Sequence, residues 1–377
     1  MEEVDILIIG AGVIGLAIAR EVSQSNRSVI IIEKNKSFGQ ETSSRNSEVI
    51  HGGMYYPVGT LKASLCVEGR RLLYGLCEKY AIPYKKIGKL IVAVEEDEKN
   101  ALEKLLVLGE SNGVEGLAIL SISQISKIEP NVKGLSAIYS PETGIIDSHS
   151  LMKFYLNSAQ DNGVMVAFNA EVGSIEKKAK GYNVDLNNGN EAIKVAARVV
   201  INAAGLDSDS VASMAGIDLD ENKYRLHYCK GQYFRVSAVK SRMINGLVYP
   251  VPNPKAGGLG IHATIDLAGG MRLGPDDEYM KDRVKDYSVD SLRAEKFFES
   301  AKILMPFLEF DDLAADISGI RPKLQEKGEE FRDFIIQDEL GEGLPGFVNL
   351  IGMESPGLTA SPAIAKYVDG LVKKYFE

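Results

Sequence analysis

An α/β fold is expected, in which a Rossmann-like dinucleotide-binding domain carries an inserted, mixed and mainly antiparallel β-sheet domain. Three observations predict it. Residues 4–9 form an aliphatic run, Gly10-Ala11-Gly12-Val13-Ile14-Gly15 a Gly-rich turn, residues 13–24 a helical stretch and residues 28–33 a second aliphatic run. Together they make a βαβ unit of about thirty residues. A polar, Gly-rich loop over residues 34–60 then interrupts the chain where a doubly wound nicotinamide domain would continue with helix and strand. Finally, strand patterns recur over residues 87–94, 135–146 and 224–316, while residues 198–203 and 347–373 return to buried strand and helix patterns.

Taken in order, residues 61–80 place Leu65, Leu72, Leu73, Leu76 and Tyr80 at helical spacing, and residues 87–94 read as a strand entering a new region. Residues 100–109 and 123–129 read as helices, 135–146 as a strand pair around Ser140-Pro141-Glu142-Thr143-Gly144, and 148–161 as a helix stopped by Gly163. Residues 164–200 alternate through a hairpin whose turn holds Asn187-Asn188-Gly189. Residues 347–373 close the chain with a strand, a Gly/Pro/Ser turn and a helix. The expected division is a discontinuous cofactor domain of residues 1–80, 147–215 and 317–377, with a substrate domain of residues 81–146 and 216–316.

The 377 residues are enough for two lobes, at a typical ~150 residues each. Apolar and charged fractions of 45% and 25% are ordinary for a globular protein. A net charge of −9 with no basic block argues against nucleic acid as a partner, and requires that any small acidic substrate meet a local cationic pocket. Cys66, Cys77 and Cys229 are odd in number and form no CxxC pair, which fits a reducing compartment. Cys66 and Cys77 fall on one helix ~16 Å apart, beyond disulfide reach. The N-terminus lacks a basic region and a cleavage site, and no run of ~18 apolar residues occurs. A cytoplasmic protein without a spanning helix is expected, with peripheral contact at a membrane surface left open. The histidines and cysteines form no HxH, HExxH or CxxC cluster, so no metal site is expected.

The strand–turn–helix setting makes GxGxxG a dinucleotide site. Its glycines allow a tight turn and close approach of a pyrophosphate to the N–H groups and dipole of the helix that follows. Glu33 ends the second strand, where a carboxylate can accept hydrogen bonds from a ribose and disfavours a 2′-phosphate. The motif alone leaves FAD and NAD open.

Several further segments are similar to the L-2-hydroxyglutarate dehydrogenases within the D-amino-acid oxidase-like group of FAD enzymes. They are Asn46-Ser47-Glu48-Val49-Ile50-His51-Gly52-Gly53-Met54-Tyr55-Tyr56-Pro57, Gly88-Lys89-Leu90-Ile91-Val92-Ala93, Gly144-Ile145-Ile146-Asp147, Gly258-Leu259-Gly260-Ile261-His262, Gly319-Ile320-Arg321-Pro322-Lys323-Leu324 and Glu354-Ser355-Pro356-Gly357-Leu358-Thr359. The resemblance covers nearly the whole chain. It implies FAD held noncovalently or, less often, covalently, a 2-hydroxy acid substrate oxidised to a 2-oxo acid, and electrons passed to a quinone or dye, with noncovalent attachment the expectation here because His51 alone is a weak signal for a bond.

Gly10, Gly12, Val13, Ile14, Gly15, Glu33 and Lys34 are then expected at the cofactor. Ser43, Ser44 and Asn46 supply short polar groups for a phosphate or ribitol chain, and Arg45 a charge for the pyrophosphate. His51, Gly52, Val172, Ala204, Gly205, Gly357, Leu358 and Thr359 complete the expected cofactor contacts, the last three opening a helix toward the flavin. Arg321, rigidly set between Ile320 and Pro322, suits a bidentate grip on a carboxylate, and the resemblance implies that role. His262 is the candidate base for the substrate hydroxyl, with His51 mainly a flavin contact and second catalytic candidate. Tyr249 joins the substrate residues. A diacid needs a second cation, for which Lys230 in Lys230-Gly231-Gln232-Tyr233 is preferred over Lys323 and Arg272. Rival readings are a D-amino-acid or glycine-type oxidase, a glycerol-3-phosphate dehydrogenase, and a nicotinamide-binding sensor without turnover.

Overall fold

The computed structural model describes residues 2–187, 192–252 and 260–377. Asn188 and Gly189 of the expected hairpin turn, and Gly258 and Leu259 of the glycine segment before His262, lie outside the described residues. The chain folds as two compact units, one of residues 1–44, 148–228 and 321–377, the other of residues 45–147 and 229–320. The expected division carried residues 45–80 with the Gly-rich turn. In the structure they fold in the second unit, where Met54 and Val67 join the core formed by Ile91, Ile138 and Tyr249.

The first unit is built on a sheet with eight strands among the described residues. Its centre is the strand Glu2–Ile9, parallel on one side to Val29–Glu33 and on the other to Ala192–Asn202. Ile6, Leu7 and Ile8 are fully buried, as a parallel strand covered on both faces requires. Ala192–Asn202 is long enough to serve two neighbours along one edge, Tyr182–Asn187 in an antiparallel hairpin and then Phe347–Ile351 in parallel. The helix Val13–Val22 packs against Ser148–Asp161 and Gly357–Val372.

The second unit holds the larger, mainly antiparallel sheet, with Leu247–Pro250 beside Lys89–Ala93 as a parallel pair. Both faces of this sheet are covered. Leu90, Val92, Phe234 and Val248 point to the face packed by Phe297 and Ala301 of the helix Ala294–Leu304. Strand alternation sends Ile91, Leu247 and Tyr249 to the opposite face.

Helix Leu61–Tyr80 spans the residues expected of it, its N-terminus capped by Thr60 accepting the Ala63 N–H. Two expectations differ. The strand pair of residues 135–146 is no hairpin: Ser136–Ser140 joins the large sheet, whereas Gly144–Ile146 pairs with Val49–Ile50 and Tyr84–Lys85 in a small separate sheet. The strand-rich stretch of residues 224–316 also contains the helix Ala294–Leu304, whose Phe297, Phe298, Ala301 and Leu304 recur at helical spacing. Among the described residues no helix is long and apolar enough to cross a membrane.

Candidate functional site

In the first unit, the central strand runs into Gly10, held at a φ of +104° that side-chain-bearing residues rarely adopt. A Cβ at Gly10 would lie 2.6 Å from the Ala203 carbonyl oxygen, one at Gly12 would lie 2.9 Å from Ser43 Oγ, and one at Gly15 would collide with the Gly10 carbonyl oxygen. This is the cradle a dinucleotide pyrophosphate needs, with bare backbone leading into the N-terminus of the helix Val13–Val22. Ser43 Oγ accepts the Val13 N–H at 2.9 Å, so Ser43 closes the mouth of that helix. Glu33 is buried and braces the turn: Oε2 accepts the Ala11 N–H at 2.9 Å, and Oε1 accepts the Asn35 N–H and side-chain amide at 2.9 and 2.8 Å. Since a carboxylate oxygen offers about two acceptor sites, Oε2 retains one for a ribose hydroxyl. The residues present fit FAD.

The other expected cofactor residues of this unit fall in different settings. Lys34 forms ion pairs with Asp207 and, at 3.2 Å, with Glu41. Ser44 is tied locally to the Glu41 carbonyl. Val172 is buried in the unit's core, which leaves its backbone as the part able to meet a ligand. Ala204 and Gly205 follow the strand Ala192–Asn202, with Gly205 in the left-handed region. Gly357, Leu358 and Thr359 open the helix that packs on Val13–Val22, and Thr359 is fully buried.

Arg45, Asn46, His51 and Gly52 belong to the second unit. Arg45 lies over the Tyr287 ring at 4.2 Å and donates to the Ser318 carbonyl at 3.5 Å, while Asn46 Oδ1 accepts the Glu48 N–H at 2.8 Å. A Cβ at Gly52 would press on Ser140 Oγ at 3.0 Å.

The same unit gathers the chemistry-bearing side chains on one face of its large sheet. His262 is buried and stacks on Tyr249, with ring centroids 3.7 Å apart and planes at 17°. Its Nδ1 lies 2.9 Å from the Gly260 carbonyl oxygen. A carbonyl can only accept, so in the neutral ring Nδ1 carries the proton and Nε2 the lone pair. Lys89 is buried at 1% exposure, its Nζ 4.5 Å from the Tyr55 ring and 4.6 Å from the Tyr249 ring. Neither Lys89 Nζ nor Tyr55 Oη has a hydrogen-bond partner among the described residues. Burial pulls the Lys89 ammonium down to about 7. His51 is driven down to about 3 by burial first, then by the charges of Lys89 and His262, and so stays neutral. Cys66, which reaches the His51 carbonyl through Sγ, is pushed up to about 12 by burial and is a thiol rather than a counter-ion.

The three cations expected at a second carboxylate each have a carboxylate partner already. Strand alternation puts Lys230 on the face of Gln232 and Phe234, where Nζ pairs with Asp286 at 2.7 Å. Tyr233, on the other face of that strand, hydrogen-bonds Ser47 at 2.8 Å. Lys323 meets Glu354 at 3.6 Å, and Arg272 meets Asp316 at 2.5 Å. Arg321 is the first residue of a segment of the first unit, with its Nε buried. His149 stacks on Phe38, and His227 lies near Glu326. Lys89 and Tyr55 escaped the sequence reading although both stand in segments quoted for the resemblance. The available signal was a lysine heading the aliphatic run Leu90-Ile91-Val92-Ala93.

Residues 5–371 match the FAD dependent oxidoreductase family, DAO. The chain is 40% identical to the mitochondrial L-2-hydroxyglutarate dehydrogenase of Arabidopsis thaliana, over 97% of this chain and 83% of that protein. It is 32% identical to the glycerol 3-phosphate dehydrogenase of Caloramator mitchellensis, over 98% of this chain and 74% of the relative. Among solved structures, the dithionite-reduced L-alpha-glycerophosphate oxidase of Mycoplasma pneumoniae with FAD bound is similar at a TM-score of 0.87 and 31% identity, covering 99% of this chain and 95% of that one. With a glycine cradle that fits the cofactor and a family match along nearly its whole length, the chain belongs to the FAD dependent oxidoreductases of the DAO family.

Proposed function

We propose that this flavoenzyme oxidises a small 2-hydroxy acid, with L-2-hydroxyglutarate as substrate and 2-oxoglutarate as product. The observation that carries the reading is His262, whose Nδ1 is committed to the Gly260 carbonyl so that Nε2 is the basic nitrogen. Identity to the Arabidopsis dehydrogenase supports the choice of substrate. Bound FAD supplies a two-electron acceptor for the hydride of the substrate's C2. His262 Nε2 takes the hydroxyl proton, and the stack on Tyr249 keeps the ring from turning. Arg321 is assigned the carboxylate beside the reacting carbon, a bidentate task suited to its planar fork. His51, held neutral, adds no charge that would oppose proton transfer to His262. Electrons leave to a quinone-type acceptor in this reading, and buried cysteines outside any disulfide support work in a reducing compartment such as the cytoplasm.

Glycerol 3-phosphate is the second reading, favoured by the Caloramator relative and the Mycoplasma structure. Both are separated by dye-linked turnover of L-2-hydroxyglutarate, glycerol 3-phosphate, glycine and D-amino acids on the purified enzyme. L-2-hydroxyglutarate should give the highest kcat/KM, and a higher value for any other substrate rejects the assignment. In stopped-flow bleaching of the flavin, His262→Ala should slow reduction by ~10²- to 10⁴-fold, the range for losing a positioned base. A variant that reduces at nearly the full rate removes His262 from the base role.

A further inference from the structure

Lys89 and Tyr55 form a second polar centre in the same unit that the proposed chemistry does not use. The Lys89 side chain lies in a box of Tyr55, Tyr249, His51 and Cys66, all buried or half-buried. A buried ammonium ordinarily has a carboxylate beside it, because desolvating an isolated ion is strongly unfavourable. Among the described residues no carboxylate pairs with it, Cys66 is a protonated thiol, and two aromatic faces offset the desolvation only in part. Tyr55 adds a second buried donor, its hydroxyl as unpartnered as the lysine. Two donors left without acceptors at one place describe a receptor awaiting an anion.

We propose that Lys89 and Tyr55 bind the anionic end of the substrate remote from the reacting carbon, which makes the enzyme selective for dianionic over monoanionic 2-hydroxy acids. In the reading given above, which this inference deepens and on which its substrate rests, that end is the C5 carboxylate of 2-hydroxyglutarate. The role expected of Lys230 passes to Lys89, because Lys230 is already neutralised by Asp286 on the other face of its strand. A carboxylate seated on Lys89 also restores the proton that burial tends to strip from it, so binding above neutral pH takes up a proton. The titratable groups facing Lys89 are Cys66 from the helix Leu61–Tyr80, His51 and Tyr55 from the loop before it, and Tyr249 from the strand beside it; Arg70 acts on Cys66, and His262 stacks on Tyr249. His51 could contribute to such uptake, and only the Lys89 variant isolates the lysine.

The test uses FAD-loaded wild type, Lys89→Met, which keeps length without charge, and Tyr55→Phe. For Lys89→Met the ratio of kcat/KM for L-2-hydroxyglutarate to that for 2-hydroxybutyrate should fall ~10- to 150-fold, the worth of a hydrogen bond to a charged group. Tyr55→Phe should lower the ratio less. Glutarate, a diacid with nothing to oxidise, is titrated by calorimetry at pH 8 in two buffers of different ionisation enthalpy. Wild type should take up close to one proton, and Lys89→Met should bind glutarate more weakly and without uptake. Unchanged glutarate affinity in Lys89→Met overturns the proposal whatever the turnover ratio does. If wild type fails to oxidise L-2-hydroxyglutarate, the substrate reading falls while glutarate binding still decides the role of Lys89. Should Lys89→Met not fold, absence of proton uptake by wild type at pH 8, or full glutarate affinity in Tyr55→Phe, overturns it instead.

Discussion

Lys89 is a group that folding prefers to keep neutral, and this makes stability depend on pH in a predictable direction. Its folded value near 7 lies below the ordinary lysine range near 10.4. The unfolded chain therefore binds more protons than the folded one between those limits, and stability falls as pH drops from about 10 to about 7, then stays level for this group. Without ligand, Lys89→Met should be more stable than wild type, by a free-energy margin that widens over that window to a few kcal/mol and is nearly absent at pH 10, read as a higher melting midpoint. Equal midpoints at pH 6.5 would show that the ammonium is compensated in the fold. The turn that Gly10, Gly12, Gly15 and Glu33 build was legible in the sequence, because the spacing of one short βαβ unit is written locally. Lys89 was not legible because its burial is made by partners far along the chain, such as Tyr249 on a strand paired beside it.

At the scale of elements, the turn between the first strand and helix should discriminate sharply among its glycines. Gly15→Ala drives a methyl into the Gly10 backbone oxygen, which cannot move without pulling the helix Val13–Val22 away from its strand. Gly12→Ala meets only the Ser43 hydroxyl, a group that can rotate at the expense of the Val13 hydrogen bond. FAD occupancy, read from flavin absorbance per protein, should fall far more in Gly15→Ala than in Gly12→Ala. Equal losses would mean that the hydroxyl of Ser43, rather than the helix–strand contact, controls the site. The helix Leu61–Tyr80 was readable from its own periodicity, whereas Ala294–Leu304 was hidden within a strand-rich stretch and Ser136–Ser140 could not be separated from Gly144–Ile146 by pattern alone. Which sheet a short apolar run joins is decided by neighbours, here Lys89–Ala93 for one and Val49–Ile50 for the other.

For the whole molecule, we predict that FAD is released by acid precipitation, leaving a pale pellet and a yellow supernatant. The cradle offers backbone groups, a serine and a carboxylate, all reversible contacts. Cys66 and Cys77 are both pushed up to about 12 by burial, so neither supplies the thiolate that a cysteinyl linkage would need. Colour retained in the pellet would point to a covalent bond, with His51 the first residue to inspect by peptide mapping. The discontinuity of both units was legible from the return of buried strand patterns after residue 198, but the placement of residues 45–80 was not, since a helix carries no mark of which core will receive its apolar face.

The pairing of Glu2–Ile9 with Ala192–Asn202 also bears on how a nascent chain is made. Of the two neighbours of the first strand, Val29–Glu33 leaves the ribosome almost at once, while the other is separated from it by most of half the chain. At ordinary rates of translation the open edge of that aliphatic strand waits on the order of ten to forty seconds. The helix Gly357–Val372, which packs on Val13–Val22, emerges later still. Until Ala192–Asn202 emerges, an apolar strand edge and a helix still lacking one of its two packing partners are exposed together, the kind of surface that chaperones hold and that aggregates when they are scarce.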